Sequence, residues 1–376
     1  MNTRLITTES ELILLGDSWN RLIGTNSETN APFYSWEWFY NTWLYFGKPQ
    51  GWTFAVTAVF DGDELIGILP LIQSRKRSFG ISYRVFSFCD VGISPRNMIY
   101  FDSNRDSIAI FRAITNKLFE ERNLWDMLEF SNIPVTSSFH RFCLEEKIPH
   151  SALIRWQGFR APYIELNGTL DDYFEMLDGK TRKDLRRRMR KFKEYGDNKK
   201  VQFFDRPEEI GVGLELLFEV HRRSWKGEFS NLRYHEFYKK ITSILSKRND
   251  VIIVVTILNS IPISAGYILQ NSDTYFSLVN DHDKKFRDIA PGMILFVHEL
   301  DNLINTGRKF FDFCGTAYDY KEKLSNGILD HSTFQIFSNG IKSRFLYSAK
   351  TFWLPLFRKI QRKPEPDDLI TKIKRF

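Results

Sequence analysis

Cysteine is scarce in this chain of 376 residues. The three cysteines, Cys89, Cys143 and Cys314, lie far apart in the sequence and form no CxxC pair. This spacing disfavours a disulfide framework and a cysteine-based zinc site, and it suits a reducing compartment.

Long apolar segments are also missing. The longest, VIIVVTIL at residues 251–258, is too short to span a bilayer. The first residues, MNTRLITTESELILL, carry Glu9 and Glu11 where a secretory signal would need an unbroken apolar core. We therefore expect a soluble, cytoplasmic protein.

Several well-known catalytic patterns do not occur. The sequence has no GxSxG, HExxH or Walker A motif, so a serine hydrolase or an NTPase has no support. The tetrapeptide NDHD at residues 280–283 offers metal-ligand side chains, but neighbours on a strand point to opposite faces. No metal site is therefore expected.

Positive charge is abundant, but two segments carry all of its excess. Residues 180–200 contain 11 basic and 3 acidic side chains, and residues 342–376 contain 10 basic and 3 acidic ones. The net charge of the whole chain is +7, so the remainder is acidic. This placement favours local contact with phosphate or with an anionic surface over a broad nucleic-acid-binding face.

Two halves of the chain show the same predicted order of elements. In the first half, a helix over residues 9–24 precedes a hairpin around Asp61-Gly62, a helix over 106–122 and a strand over 125–133. In the second half, helices precede strands over 250–258, 261–270 and 274–281, a helix over 291–307 and a strand over 309–315. We interpret this order as an internal duplication, against the alternative of two unrelated α/β segments.

The most specific segments lie in the second half: GKTRKDLRRRMRK, EVHRRSW, AGYILQNSDTYFSLVNDHD and PGMILFVHELDNLINTGRKFFDFCGTAYDYKEKL. Together with the order of elements over residues 10–345, they resemble the CelD/BcsL-type acetyltransferases of the GNAT superfamily and, more distantly, the FemABX peptidyltransferases. The resemblance implies an α+β fold of two tandem GNAT-like domains, each a mixed, mainly antiparallel sheet flanked by helices. The expected domains are residues 1–165 and 166–345, with a basic aromatic tail over 346–376.

The resemblance also implies an activity. We expect an acyltransferase that moves an acyl group, in the first place acetyl, from acyl-CoA to an amine or hydroxyl of a small or glycan-type acceptor. Cell-envelope polysaccharide biosynthesis is the expected setting, and no metal cofactor is expected. An aminoacyl-tRNA donor, as in the FemABX branch, is the alternative within this enzyme class.

The predicted donor site is the segment KKFRDIAPGMIL. Its cations are Lys284, Lys285 and Arg287, and Pro291-Gly292 begins a helix that continues with Met293. Free N–H groups at a helix start, the helix dipole and nearby cations suit the pyrophosphate of coenzyme A. Where common GNAT enzymes carry RxxGxG/A, this chain has Ala290-Pro291-Gly292. An ordinary proline-started helix with solvated lysines is the alternative.

Acyl transfer needs a base and a group that assists the leaving thiolate. His221 is one candidate base, because histidine titrates near neutral pH, and a structural histidine is the alternative. Asp312, expected to be partly buried among phenylalanines, is a second candidate base or a member of a buried ion pair. The resemblance places Tyr320 and Lys321 near the acceptor or the leaving thiolate, as an acid or as phosphate ligands.

The basic stretch KTRKDLRRRMRKFK at residues 180–193 is predicted to be a helix with a narrow apolar stripe of Leu185, Met189 and Phe192. We assign Arg182, Arg186 and Trp225 to an anionic substrate or donor; a merely solvated face is the alternative, and nucleic acid is disfavoured.

The tail RFLYSAKTFWLPLFRKIQRK mixes aromatic and basic residues, so it either lies on an anionic membrane or packs on the second domain. A non-catalytic protein that binds nucleic acid or membranes through its basic segments is the competing functional class.

Overall fold

The fold is taken from a computed structural model of the chain. It describes residues 1–26, 28, 30–146, 151–195, 198–224, 232–353 and 369–375. These residues form two compact units. The first unit contains residues 1–30, 34–159 and 330–376, and the second contains residues 31–33 and 160–329. The predicted domain boundaries after residues 165 and 345 stay predictions.

The described residues form twelve α-helices and sixteen strands. The helices are α1 (Glu9–Leu14), α2 (Gly16–Gly24), α3 (Trp36–Thr42), α4 (Ser107–Glu120), α5 (Ser138–Glu145), α6 (Leu170–Met176), α7 (Gly179–Glu194), α8 (Ile210–Arg223), α9 (Leu232–Leu245), α10 (Pro291–Asn305), α11 (Asp319–Leu324) and α12 (Ile341–Ser348). The strands are β1 (Asn2–Ile6), β2 (Thr53–Phe54), β3 (Val56–Asp61), β4 (Glu64–Leu69), β5 (Leu71–Ser78), β6 (Ile81–Phe88), β7 (Tyr100–Phe101), β8 (Met127–Pro134), β9 (Ser151–Glu165), β10 (Lys199–Phe204), β11 (Val251–Leu258), β12 (Ile261–Gln270), β13 (Thr274–His282), β14 (Phe310–Asp312), β15 (Gly327–Phe337) and β16 (Leu369–Arg375).

The first unit contains two groups of hydrogen-bonded strands. One has the order β1-β3-β4-β7, and the other includes the run β15-β8-β6-β5-β2. Pro70 lies between β4 and β5. Because proline has no N–H to donate to a ladder, it suits the point where the chain leaves one group of strands for the other. Strands β6 and β8 are parallel, whereas the pairs β1–β3, β3–β4, β4–β7, β2–β5, β5–β6 and β8–β15 are antiparallel.

The second unit contains one run of strands in the order β10-β11-β12-β13-β14, and the last residues of β9 pair with β14. Strands β10 to β13 are antiparallel, and β13 pairs with β14 in parallel. The helix α10 connects these two parallel strands, as a parallel connection requires. A mixed, mainly antiparallel sheet with flanking helices is therefore present, and the predicted α+β class is confirmed.

The order of elements predicted for each half is confirmed. The hairpin at Asp61-Gly62 joins β3 to β4, and the hairpin in the second half joins β11 to β12. In both units a helix, α4 or α10, then leads to a strand that pairs in parallel with an earlier one. The helix predicted over residues 9–24 is instead two helices that meet at Leu15.

Helix α7 packs on the core of the second unit through the predicted stripe. Leu185 and Phe192 are buried, and Met189 packs against the same apolar clusters. Thr181 and Asp184 have the spacing of a capping box, but they do not cap this helix. Asp178 is the cap, because its carboxylate accepts from the N–H groups of Lys180 and Thr181 at 3.0 Å each.

No helix in the described part of the chain is long and apolar enough to cross a membrane. Much of the basic tail, residues 354–368, lies outside the described residues, so its predicted membrane contact stays a prediction.

Candidate functional site

Strand β13 forms one wall of a cavity in the second unit. The β12–β13 ladder shifts its register at Leu278, which opposes no residue of its own in β12. Such a bulge re-aims the side chains that follow it. Leu278, Asn280 and His282 line the cavity, and Asp281 is buried on the other face of the strand.

The start of helix α10 forms a second wall. Ala290 adopts the left-handed conformation, with φ 51° and ψ 58°, and turns the chain into the helix that begins at Pro291. Ala290, Gly292 and Met293 line the cavity. The first N–H groups of a helix have no intrahelical partner and carry partial positive charge. An anionic group in the cavity would therefore find backbone donors at this end.

Gly292 is close to strand β13. The Asn280 Nδ2 atom lies 3.5 Å from the Gly292 carbonyl oxygen. A methyl group at position 292 would lie 3.1 Å from the Asn280 Oδ1 atom and 3.6 Å from the His282 Nδ1 atom. A side chain at this position would therefore occupy space between α10 and β13 that glycine leaves open.

The cavity has a volume of about 530 Å³, within the range of small-molecule sites. Its apolar wall consists of Phe296, Phe311, Phe313 and Leu324. A ligand with an apolar or aliphatic portion would thus contact rings, whereas its charged portion would face the start of α10.

Two guanidinium groups line the cavity, those of Arg287 and Arg188. Arg188 comes from α7, and its Nε donates to the Asp184 carboxylate at 2.6 Å. Lys284 and Lys285 are exposed in the 3₁₀ helix Lys284–Ile289 and do not line the cavity. The structure thus brings together Arg287, Gly292 and Met293 of the five residues predicted for the donor.

Tyr320 and Lys321 line the same cavity from helix α11. The Lys321 ammonium donates to the Phe313 carbonyl oxygen at 3.0 Å, which ties α11 to the end of β14. Partial burial raises the pKa of Tyr320, and the neighbouring Tyr318 adds to this, although 47% of the residue's surface is exposed. A tyrosine hydroxyl is protonated at neutral pH with or without this change, so Tyr320 is able to donate a proton.

Asp312 is buried at the end of β14 and does not line the cavity. Its Oδ1 atom accepts from the backbone N–H of Cys314 at 2.8 Å. Cys314 lines the cavity in a left-handed conformation, with φ 45°. Asp312 thereby stabilises the turn that follows β14, and its role as a base stays a prediction.

His221 lies on helix α8 and bonds through Nδ1 to the Asp281 carboxylate. Both side chains are buried, and neither lines the cavity. Because Asp281 and the cavity-lining His282 point to opposite faces of β13, His221 is on the far side of the strand. This geometry favours a structural role, and the catalytic role of His221 stays a prediction.

We expect His221→Gln to lower stability without lowering acetyl-CoA binding. The variant loses part of a buried bond to a carboxylate, which costs about 1–3 kcal/mol in unfolding free energy. Urea unfolding and calorimetric titration with acetyl-CoA would measure the two effects. A folded variant that bound acetyl-CoA normally but lost all turnover would instead assign His221 to catalysis.

The segment NDHD does not converge on one point. Asp281 faces His221, and Asp283 forms an ion pair with the Arg223 Nε atom at 2.9 Å. Among the residues that the structure describes, no group of three or more His, Cys, Asp or Glu side chains is placed to hold a metal ion.

The residues predicted for an anionic substrate lie elsewhere. Arg182 and Arg186 line a separate groove on α7, and both are paired with Glu175. Trp225 lies outside the described residues. Their assignment to substrate stays a prediction.

The polar cavity residues that were not predicted for this site are Arg188, Ser277, Asn280, His282 and Cys314. The sequence could have indicated that Asn280 and His282 lie on the same face, because side chains two residues apart on a strand point the same way. The sequence gives no comparable signal for Cys314.

Comparison with known proteins places this site in a recognised type of domain. Residues 179–322, less than half of the chain, match the family model of an acetyltransferase (GNAT) domain. None of the curated proteins matches the chain.

Solved structures resemble the chain over most of its length. A FemX crystal structure covers 93% of this chain and 99% of its own at 12% identity, with a TM-score of 0.60. A conserved protein of unknown function from Bacteroides thetaiotaomicron covers 89% and 100% at 11% identity, with a TM-score of 0.55. The C-terminal domain of a putative lysylphosphatidylglycerol synthetase from Agrobacterium fabrum covers 89% and 96% at 10% identity, with a TM-score of 0.53.

At these identities the likenesses show the fold alone. The predicted fold, α+β with GNAT-like units of mixed sheet flanked by helices, is confirmed. The narrower resemblance to the CelD/BcsL type stays a prediction.

Proposed function

We propose that the second unit is an acyltransferase that takes its acyl group from acyl-CoA, in the first place acetyl-CoA. One observation carries the proposal: a single cavity combines the start of α10 at Gly292, two guanidinium groups and the Tyr320 hydroxyl. The match of residues 179–322 to an acetyltransferase (GNAT) domain supports it, because such domains typically use acyl-CoA.

The chain's residues divide into binding and chemical roles. The N–H groups at the start of α10, with Arg287 and Arg188 nearby, would hold the pyrophosphate of coenzyme A. The wall of Phe296, Phe311 and Phe313 would contact the aliphatic part of the donor. This arrangement directs the thioester away from the helix start and towards the aromatic wall.

The reaction needs one bond to form and one to break. The acceptor nitrogen or oxygen attacks the thioester carbonyl carbon, the carbon–sulfur bond breaks, and the products are an amide or ester and free coenzyme A. The acceptor loses a proton to a general base, directly or through a water molecule. Tyr320, which lines the cavity, gives a proton to the departing thiolate.

The acceptor is proposed to be an amine or hydroxyl on a small or glycan-type molecule, and the setting cell-envelope polysaccharide biosynthesis. The resemblance stated above supports both. A cytoplasmic location with peripheral contact to an anionic membrane belongs to the same proposal. An aminoacyl-tRNA donor is the alternative that the FemABX resemblance implies, and binding of tRNA but not of coenzyme A would favour it.

Substitution of Gly292 tests the donor site. We expect Gly292→Leu to weaken acetyl-CoA binding by at least about tenfold, or 1.4 kcal/mol, because the side chain fills space beside Asn280. Isothermal titration calorimetry with acetyl-CoA and free coenzyme A measures this effect.

Gly211→Leu is the matched control. Gly211 is also the second residue of its helix, α8, and a side chain there meets no atom within 4 Å. We expect this control to bind acetyl-CoA like the wild type. Absence of acetyl-CoA binding by the folded wild-type protein would overturn the proposal, as would equal affinity of the two variants.

A further inference from the structure

The second unit has another groove, on a different face of helix α7. Its volume is about 590 Å³, and helices α6, α7 and α10 contribute its walls. Five cationic side chains of α7 line it: Arg182, Lys183, Arg186, Arg190 and Lys193. We call this feature the basic groove.

The cations share one face because of their spacing. Arg182, Arg186, Arg190 and Lys193 are separated by four, four and three residues, which places them in a stripe along an α-helix. The stripe rises about 16 Å along the helix axis. Helix α7 therefore concentrates charge beside the groove, in addition to its buried apolar stripe.

Part of this charge is neutralised within the protein. Arg182 and Arg186 form ion pairs with Glu175, and Asp171 lies 3.7 Å from Arg186. Lys183, Arg190 and Lys193 have no ion pair with any residue of the described ranges. The groove thus keeps an excess of about three positive charges that solvent alone screens.

The floor of the groove is apolar. Leu170, Phe174, Met189 and Val297 line it beside the cations. The Arg186 guanidinium lies 5.6 Å from the centroid of the Phe174 ring. A fully hydrated anion would leave this floor unused, whereas a ligand with an apolar chain would cover it.

The basic groove is distinct from the candidate active site. On α7 the groove is lined by Arg186 and Arg190, whereas Arg188 lines the active-site cavity. Residues two apart on an α-helix point in very different directions, about 200° apart around the axis. The two sites share no lining residue.

We propose that the basic groove binds an anionic amphiphile: a lipid whose phosphate head contacts the cations and whose apolar chain lies on the Leu170–Phe174–Met189–Val297 floor. A phosphate accepts charge-assisted hydrogen bonds from several cations at once. Burial of the chain's methylene groups on this floor adds a contribution that phosphate alone lacks. Asp171 and Glu175 at one end of the groove disfavour a long polyanion such as a nucleic acid. The inference goes beyond acyl transfer and does not depend on the donor.

The test uses the full-length protein and three soluble probes. Dodecyl phosphate carries both features of the proposed ligand, inorganic phosphate carries the charge alone, and dodecyl maltoside carries the chain alone. We expect calorimetry to show that dodecyl phosphate binds at least about tenfold more tightly than either partial probe. Flotation with phosphatidylcholine vesicles, with and without phosphatidic acid, then shows whether the lipid is taken from a bilayer.

Two charge-reversal variants of α7 test whether dodecyl phosphate binds in the basic groove. Arg190→Glu should weaken dodecyl phosphate binding by at least about tenfold. Lys180→Glu makes the same change of charge on an exposed residue of α7 that does not line the groove, and it should leave binding within about twofold. Thermal unfolding verifies that both variants are folded.

Three results would overturn the inference. Equal affinity for inorganic phosphate and dodecyl phosphate would show that the apolar floor takes no part. Equal loss in Arg190→Glu and Lys180→Glu would show general electrostatic attraction instead of a site. Tight binding of an RNA oligonucleotide that Arg190→Glu abolishes, with no binding of dodecyl phosphate, would assign the groove to nucleic acid. Since none of the assays uses acyl-CoA, these failures are distinguishable from failure of the proposed enzymatic function.

Discussion

Tyr320→Phe should lower kcat by about 100-fold while the KM for acetyl-CoA changes by less than about threefold. Phenylalanine keeps the ring that lines the cavity but removes the proton that the leaving thiolate receives in the proposed mechanism. The effect should therefore appear in turnover and leave donor binding largely intact. The measurement is thiol release from acetyl-CoA with a panel of amino sugars and other amines as acceptors.

Tyr318→Phe is the control for this variant. Tyr318 stacks on Tyr320, with ring centroids 6.3 Å apart, but it is 60% exposed and does not line the cavity. Loss of the Tyr318 hydroxyl should leave kcat within about threefold of the wild type. If Tyr320→Phe also kept kcat within that range, another group would have to protonate the thiolate, and Lys321 would be the next to test.

Glu299→Gln should remove a large pH dependence of stability. Glu299 lies on α10, is fully buried, and neither of its carboxylate oxygens has a hydrogen-bond partner in the described part of the chain. Burial raises its pKa from 4.5 to about 8. Between these values the folded state holds a proton that the unfolded state releases, so stability falls as the pH rises.

The difference between the two pKa values sets the expected change in unfolding free energy. Each pH unit within the window lowers the unfolding free energy by about 1.4 kcal/mol, or roughly 3 kcal/mol by pH 7. Glutamine has the same shape and does not titrate. Wild type and Glu299→Gln should therefore have similar stability at the acidic end of the window and diverge as the pH approaches 8, with the variant more stable.

Urea unfolding across this pH range measures the difference between the two proteins. Glu236→Gln, which removes an exposed carboxylate on α9, controls for the loss of one negative charge and should follow the wild type. Parallel curves for wild type and Glu299→Gln would show that Glu299 is ionised in the folded protein and has a partner.

Local patterns in the sequence predicted much of the fold. Alternating apolar residues and turn residues such as Asp61-Gly62 define hairpins through contacts between near neighbours. The repeated order of elements then indicated a mixed sheet in each half. The start of α10 was predicted for the same reason, since Pro291 and Gly292 are local signals.

The site was harder to predict from the sequence because it depends on which faces of the helices and strands pack against each other. His221 is a reasonable base by chemistry, but only the partner across β13, Asp281, shows that it lies away from the cavity. Arg186 and Arg188 are equivalent by composition, and only the packing of Leu185 and Phe192 fixes which of them faces the cavity. The cap of α7 shows the same limit: Thr181 and Asp184 match a capping pattern, but the helix begins earlier, where Asp178 accepts from the N–H groups of Lys180 and Thr181.

The left-handed Ala290 has a consequence for how this kind of site is recognised. A glycine-rich donor motif partly reflects backbone geometry, because glycine reaches positive φ at no steric cost. Here the residue with positive φ is Ala290, and this conformation costs an alanine about 1–2 kcal/mol. Gly292 instead leaves space beside Asn280 and His282. In the proposed donor site, the positive φ and the space for a neighbour, which one glycine motif combines, therefore belong to two different residues. A signature built on glycine count would pass over such chains, whereas one built on the turn itself, a left-handed residue directly before a proline-started helix, would include them.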